Sequence, residues 1–122
     1  MIQRRSILKC ADNSGAIKLQ CIGIVGKGNA RYAQIGDIIT CSVKEAEPRR
    51  EIQKGMVVRC LVVRQKKPFK RKDGTYIRFE ENACVILKGE KDIYGTRIFG
   101  PIPREIKDLG YDKIANLATE LV

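Results

Sequence analysis

The sequence predicts a mainly β protein: a small closed barrel followed by a short helical segment. Apolar and polar residues alternate with a period of two over the first three quarters of the chain, and turn-forming residues recur at short intervals. Helical spacing begins only after Gly100. A chain of 122 residues is expected to form one domain, 1–122. Within it, 1–100 would form the barrel with projecting hairpins, and 101–122 the helical segment packed on it.

Five segments are predicted to be strands because they alternate or are continuously apolar with many β-branched residues. They are residues 17–25, 38–43, 57–63, 76–79 and 83–87. Turn-forming sequences bound them, at Asp12–Gly15, Gly26–Asn29, Gly36–Asp37, Lys54–Gly55 and Asp73–Gly74. Pro48–Arg50 lies between two of these strands and is predicted to form the tip of a hairpin, because proline does not fit a central strand.

Two short helices are predicted after the barrel. Pro103 suits the first turn of one helix, and Gly110 suits the position just past its end. Asp112 is a candidate cap for a second helix. The apolar residues with helical spacing, which we expect to dock both helices on the barrel, are Ile106, Leu109, Ile114, Leu117 and Ala118.

The net charge of +10, from 24 Lys and Arg against 14 Asp and Glu, indicates a polyanionic partner. RNA, DNA and an anionic membrane all fit on charge alone. No apolar stretch approaches the roughly 20 residues that span a bilayer. The first residues lack the apolar region of a signal peptide, so the cytosol, or the matrix of an organelle that makes its own proteins, is the expected location.

The densest charge lies between Arg64 and Lys72, where six of nine residues are cationic. Both flanks are predicted strands, so this segment is expected to be a charged loop held at both ends. Such a loop becomes favourable beside a polyanion, because each phosphate contact releases condensed counterions. Its cations, with Arg78 just beyond, are Arg64, Lys66, Lys67, Lys70, Arg71 and Lys72.

Two further groups extend the predicted RNA-contacting set. Arg49, Arg50 and Lys54 lie at the predicted hairpin tip, and Lys27, Arg31 and Tyr32 lie in or beside a glycine-containing turn. Most of these cations would contact phosphates rather than read bases. Tyr32 could stack on a base or could fill the mouth of the barrel, and the sequence leaves both open.

The composition argues against an enzyme. Without His there is no Ser–His or Cys–His nucleophile arrangement. Gly26–Arg31 lacks the ending of a Walker loop and the βαβ context of a dinucleotide site. Glu80 and Glu81 would point to opposite faces of an extended strand, so they would not act as one acid–base pair. An RNA hydrolase therefore ranks last among the functions considered, and no cofactor is expected.

The five cysteines are predicted to be buried thiols in a reducing compartment. Their number is odd, and no two have the short spacing of a zinc knuckle. Free Cys behaves as a small hydrophobic residue, and four of the five lie in predicted strands. No metal site is expected from this spacing. The cysteines are Cys10, Cys21, Cys41, Cys60 and Cys84.

Several segments, in order along the whole chain, resemble the universal large-subunit ribosomal protein L-fourteen family in its bacterial or organellar form. The family signature is matched by Leu61–Val63, Asp73–Gly74, Phe79, Asn82 and Val85, while Cys60 stands where Gly or Ala is usual. The other matching segments are Ala11–Ala16, Arg31–Ala33, Gly36–Ile39, Val43–Ala46, Asp73–Phe79, Asn82–Val85 and Gly95–Pro101.

The resemblance implies a five-stranded barrel of the oligonucleotide-binding type and a structural role in the large ribosomal subunit. The implied partners are large-subunit rRNA, small-subunit rRNA at intersubunit bridges, and the large-subunit proteins three and nineteen. By position, Thr96, Arg97 and Lys113 match the surface that binds the ribosomal silencing factor. The implied location is the ribosome of a bacterium, a plastid or a mitochondrion. The alternative function is a free-standing oligonucleotide-binding barrel, an accessory of translation, although that class usually offers more aromatic residues.

Overall fold

The computed structural model describes residues 2–26, 28 and 31–122. Within these ranges the strands have two to nine residues, and the two helices come late in the chain. In order, the elements are β1 Ile7–Cys10, β2 Ala16–Ile24, β3 Ile38–Ala46, β4 Val57–Arg64, β5 Phe69–Lys70, β6 Tyr76–Ile77, β7 Ala83–Lys88, β8 Asp92–Ile93, β9 Ile98–Ile102, α1 Glu105–Asp108, α2 Asp112–Asn116 and β10 Ala118–Leu121.

Five strands close into a barrel in the order β1-β2-β3-β4-β7, and β7 returns to pair with β1. The closing pair is parallel, with Lys9 opposite Ala83 and Cys10 opposite Cys84, and the other four pairs are antiparallel. Closure removes exposed strand edges, which would otherwise pair with another chain. The prediction of a mainly β protein with a closed five-stranded barrel and two short helices is confirmed.

Two apolar clusters lie on the two faces of β4 and β7. Cys60 of β4 points into the barrel and belongs to the first cluster, whereas its neighbour Leu61 points outward and belongs to the second. The second cluster is covered by Ile106 of α1 and Ile114 of α2, which are both fully buried. Burial on both faces explains why these strands are continuously apolar in the sequence.

Gly110 ends the first helix as predicted. Its φ of +96° is left-handed, a conformation that glycine adopts without steric cost. The amide of Gly110 donates to the carbonyl of Lys107 at 3.0 Å, and that of Tyr111 donates to Ile106 at 3.3 Å. These two bonds form a Schellman motif, which satisfies carbonyls that the short helix leaves free.

The predicted start of each helix is wrong by one or two residues. Helix α1 begins at Glu105 with Arg104 at the cap, so Pro103 precedes the helix, and its carbonyl accepts from the amide of Ile106 at 3.2 Å. Asp112 is the first residue of α2 rather than its cap. The cap position belongs to Tyr111, because the end of the Schellman motif brings the chain directly into the second helix.

The predicted helical segment 101–122 contains strand structure at both ends, since β9 extends to Ile102 and β10 begins at Ala118. Ala118 lies opposite Ile98 in the parallel β9–β10 pair, so the prediction of Ala118 in a helix is wrong. The β9–β10 ladder satisfies backbone groups of the last residues, which therefore form a strand rather than a continuation of α2. Leu109 lies just past the end of α1 and is 57% exposed, because the helix ends before the Leu109 side chain can turn inward.

Each of the five barrel strands contributes one cysteine to the first apolar cluster, so all five thiols are buried, as predicted. Burial, together with the charge of Asp12, raises the pKa of the Cys10 thiol. Hydrogen bonds from Cys60 and Cys84 lower the pKa of the Cys41 thiol, and the contact with Cys41 raises the pKa of both donors. Three of the thiols are therefore in mutual contact within the core.

Candidate nucleic-acid interface

The cationic loop is a β-hairpin with a tightly bonded tip. Strands β5 and β6 pair with Phe69 opposite Ile77 and Lys70 opposite Tyr76. At the tip, Asp73 Oδ1 accepts from the amide of Thr75 at 3.0 Å and from its hydroxyl at 2.6 Å. These bonds lower the pKa of Asp73. The carboxylate therefore fixes the turn while leaving the surrounding lysines free.

The base of this hairpin is fixed by two side chains, Gln65 and Asn82, that were not among the predicted site residues. Gln65 is buried; its Oε1 accepts from the amide of Ile35 at 3.0 Å, and its Nε2 donates to the carbonyl of Lys67 at 2.8 Å. Asn82 Oδ1 accepts from the amide of Lys66 at 2.8 Å. The backbone of both lysines is held in place while their side chains are exposed.

Arg64 does not belong to the exposed run, and its predicted placement there is wrong. Its side chain is only 7% exposed, and Nη1 donates to the carbonyls of Phe99 at 2.9 Å and Pro101 at 3.3 Å. Nη2 lies 3.6 Å from Glu81 Oε1. Burial lowers the pKa of the guanidinium, and Glu81 partly opposes that effect. As the last residue of β4, Arg64 points towards β9 and joins the hairpin base to that strand.

Arg71 is half-buried and likewise makes contacts within the protein. Its Nε lies 3.0 Å from Glu105 Oε1, and its Nη2 donates to the carbonyl of Val122 at 2.6 Å. These contacts join the hairpin to the start of α1 and to the C-terminal residue. Two of the six predicted cations thus brace the hairpin, and the exposed ones are Lys66, Lys67, Lys70 and Lys72, with Arg78 just after β6.

The second predicted tip is the loop between β3 and β4. Arg49 and Lys54 are exposed there, and Arg49 has a left-handed φ of +65°. Arg50 instead lies across Gly15 and donates to the carbonyl of Asn13. Ile52, which is fully buried, fixes the loop to the core. Arg49 and Lys54 therefore remain available to a partner, while Arg50 holds the loop against the barrel.

The glycine-containing segment is described only in part, and Lys27 lies outside the described residues. Arg31 is exposed, and Tyr32 is 49% exposed, so Tyr32 does not fill the mouth of the barrel. The next residue, Ala33, is buried and exchanges two backbone hydrogen bonds with Ile2. This bridge fixes the backbone beside Tyr32 and leaves the aromatic ring facing solvent.

Some of the predicted residues line two different cavities, one with Lys70, Arg71 and Lys72 and the other with Arg50 and Thr96. A groove of about 630 Å³ separates the hairpin from α1, and residues 34–37, just after Tyr32, form part of its wall. A smaller cavity of about 150 Å³ lies between the β3–β4 loop, Asn13 and Thr96. The hairpin lysines therefore neighbour the segment that follows Arg31, and Arg50 neighbours the predicted protein-binding residues.

Two of the three predicted protein-binding residues, Thr96 and Arg97, lie on a loop that Asn13 organises. Asn13 Oδ1 accepts from the amides of Thr96 at 2.7 Å and Arg97 at 3.1 Å, and its Nδ2 donates to Thr96 Oγ1 at 3.0 Å. Both loop side chains are exposed. Lys113 projects from α2, with Nζ 3.8 Å from Asp92 Oδ1 of β8. Asn13 was not among the predicted site residues, although it stands in a motif of the resemblance.

Tyr76 is a further candidate that the sequence prediction missed. It lies on β6 opposite Lys70 and is 65% exposed, so an apolar ring stands beside the hairpin lysines. An aromatic face beside cations can stack on an unpaired base. The sequence pattern could have identified Tyr76 as an exposed residue. Tyr76 and Ile77 are neighbours in a predicted strand, so their side chains point to opposite faces, and the apolar Ile77 is the one expected to face inward.

A closed five-stranded barrel with charged projections is the architecture of small oligonucleotide-binding domains. The sequence model of the family described as "Ribosomal protein L14p/L23e" matches residues 1–122, and the chain belongs to that family. The chain is accordingly a structural ribosomal protein, of a family whose members are generally not enzymes, and its place of action is the ribosome. None of the helices in the described ranges has the length and apolarity needed to cross a bilayer.

Proposed function

We propose that this protein is a constituent of the large ribosomal subunit that binds rRNA through the β5–β6 hairpin. The observation that supports this most is the contrast within the hairpin. Lys66, Lys67, Lys70 and Lys72 are exposed, whereas Arg64 and Arg71 are used to fix the backbone that carries them. Lysines held in this way meet a phosphate backbone without first losing backbone freedom, which favours binding.

The other exposed cations extend the same mechanism to further RNA segments. Arg31 and Tyr32 come just before residues 34–37, which line the groove beside the hairpin, and Arg49 and Lys54 lie on a separate loop. We propose that these tips contact converging RNA helices, chiefly at phosphates. Tyr32 and Tyr76 would add stacking on unpaired bases. Arg64, Arg50 and Arg71 act within the protein as positioning residues.

The loop that Asn13 organises is proposed as the surface for protein partners and for the small subunit. Thr96 and Arg97 are exposed on a backbone held by two hydrogen bonds to Asn13 Oδ1, a third bond joins Asn13 Nδ2 to the Thr96 hydroxyl, and Lys113 is 78% exposed. Such a surface suits contact with ribosomal proteins three and nineteen, with small-subunit rRNA at bridges, and with the ribosomal silencing factor. The support for these partners is the family resemblance together with the exposure of the loop.

The salt dependence of RNA binding tests the proposal. In a variant with Lys66, Lys67, Lys70 and Lys72 replaced by Gln, affinity for the large-subunit rRNA segment should fall. The slope of log K against log salt should become less negative by roughly 2.8 to 3.6, because each lost phosphate contact removes about 0.7 to 0.9.

A matched control replaces Lys44, Lys88, Lys91 and Lys107, which are equally exposed but lie off the hairpin, by Gln. It loses the same net charge and should change the slope by less than half as much. Equal slopes for the two variants would show that net charge alone governs binding, and the hairpin mechanism would then be abandoned.

A further inference from the structure

Three cysteines from three neighbouring strands meet inside the barrel. Cys41 of β3, Cys60 of β4 and Cys84 of β7 are each fully buried, and their sulfur atoms all lie within 4.8 Å of one another. The strand register explains the cluster. Cys60 lies directly opposite Ile39 of β3 and Ile86 of β7. Cys41 is two residues beyond Ile39 on β3, and Cys84 is two residues before Ile86 on β7.

This stagger makes a triangle of thiols rather than a disulfide. Residues placed diagonally across a strand pair have Cα atoms roughly 7 to 8 Å apart, beyond the reach of an unstrained disulfide. The side chains nevertheless converge, because all three point into the barrel. A three-coordinate ion with sulfur bonds of about 2.3 Å would hold the sulfurs about 4 Å apart, which lies within the observed limit of 4.8 Å.

We propose that Cys41, Cys60 and Cys84 form a three-thiolate site for one soft, thiophilic ion that accepts trigonal sulfur coordination. Thiolates favour soft ions over hard ones. Among the described residues, no fourth Cys, Asp or Glu atom lies within the same distance of all three sulfurs. Zinc in a structural site takes four ligands, so this site disfavours Zn²⁺.

The apolar surroundings also select the charge of the ion. Ile39, Val62 and Ile86 belong to the same fully buried cluster as the three cysteines. A net charge left in such a core is costly. Three thiolates carry three negative charges, which a trivalent centre neutralises completely and a monovalent ion leaves largely uncompensated. Trivalent arsenic is therefore the preferred probe.

The binding reaction is an exchange without redox change. Arsenous acid, As(OH)₃, loses three hydroxyl groups as three arsenic–sulfur bonds form. Each thiol proton leaves with one hydroxyl as water, so three water molecules are released and arsenic stays trivalent. Because the site is closed in the folded barrel, loading is expected during folding, and the bound ion then stabilises the folded state.

The test is to refold the reduced 122-residue chain with arsenous acid, or separately with Zn²⁺, and to desalt it under native conditions. We expect one arsenic per chain, with three sulfur and no oxygen neighbours by X-ray absorption, and at least tenfold less retained zinc. Arsenic bound by fewer sulfurs, or zinc retained as well as arsenic, would overturn the proposal.

Two single variants provide the comparison. Cys60→Ala breaks the triangle, whereas Cys21→Ala removes a buried thiol from the same cluster but leaves the triangle intact. Each variant keeps four cysteines, so arsenic binding to the unfolded chain is matched. Cys21→Ala should retain one arsenic per chain, whereas Cys60→Ala should retain at least tenfold less arsenic. Equal retention by the two variants would refute the site. Should Cys60→Ala not fold, Cys84→Val serves in its place, with folding monitored by circular dichroism.

Discussion

The guanidinium of Arg64 occupies the space that a side chain on Gly100 would need, and Nη1 bonds the carbonyls on both sides of that glycine, at Phe99 and Pro101. Gly100 also has a left-handed φ of +82°. Because Gly100 has no side chain, the buried guanidinium of Arg64 can pack directly against its backbone. Through it, the end of β4, where the hairpin begins, is joined to β9.

Gly100→Ala should destabilise the fold. The left-handed backbone alone costs a non-glycine residue about 1–2 kcal/mol, and the new Cβ also displaces Arg64. Chemical unfolding should show a loss of at least this size. Gly89→Ala is the matched control, because Gly89 has a similar φ of +75° and open space around it. It should show the backbone cost only, and equal losses would argue against the steric role of Arg64.

Arg64→Met should lower the free energy of unfolding and should not weaken RNA binding. The carbonyls of Phe99 and Pro101 lose a buried donor, and each unsatisfied group costs about 1–3 kcal/mol. Lys66→Met, an equivalent change on the exposed side of the hairpin, should stay within about 0.5 kcal/mol of the wild type. The free energy of unfolding measures both. If Arg64→Met left the free energy of unfolding unchanged but impaired RNA binding, Arg64 would instead be a residue of the RNA interface.

Glu105→Gln should loosen the hairpin. Arg71 Nε lies 3.0 Å from Glu105, so the change weakens the contact between the hairpin and α1. Hydrogen exchange of the Arg71 amide, which bonds the carbonyl of Thr75, should accelerate several-fold. Asp108→Asn, a nearby exposed change, should leave it unaltered. An unchanged exchange rate of the Arg71 amide in Glu105→Gln would show that the contact between Arg71 and Glu105 does not hold the hairpin in place.

Asn13→Ala should release the loop that carries Thr96 and Arg97. Both amides lose their acceptor, Asn13 Oδ1, so their hydrogen exchange should increase by at least tenfold. The neighbouring Asp12 fixes the turn independently through the amide of Ile86, at 2.9 Å, so the barrel should stay folded. Unchanged protection of the two amides would show that the loop is held by other contacts.

The hairpin tip should weaken in acid. The folded-state pKa of Asp73 is below its ordinary value of 3.8, so its carboxylate stabilises the turn above that value. This contribution is lost as pH falls through the lowered pKa. The amide shift of Thr75 should therefore titrate below pH 3.8, and Asp73→Asn should abolish that titration. A Thr75 amide that titrates above this value would contradict the assignment.

The sequence predicted the barrel because alternation and β-branched runs reflect burial directly. Val57–Val63 and Ala83–Leu87 are strands as predicted, and their continuous apolarity follows from the two clusters they separate. The C-terminal strand could not be foreseen. Ala118 continues the helical spacing of Ile114 and Leu117, yet it begins a strand because it pairs with Ile98 of β9, 20 residues earlier in the chain.

The candidate interface was predictable in composition but not in detail. Charge density identified the hairpin, yet nothing in the local sequence distinguishes Arg64 from Lys66. The difference arises from Phe99 and Pro101, which are 35 and 37 residues further along the chain. The thiol triangle was missed for the same reason. Zinc knuckles bring ligands close in sequence, whereas these cysteines are assembled by strand register.

Crosslinking in intact large subunits tests whether the hairpin holds its lysines against rRNA. Subunits purified from cells are irradiated with ultraviolet light, and peptides that carry nucleotides are identified by mass spectrometry. We expect crosslinks between residues 66–78 and large-subunit rRNA, centred on Tyr76 and the neighbouring lysines. A hairpin that is free of RNA crosslinks in the intact subunit, while other segments of the chain carry them, would contradict the proposed role.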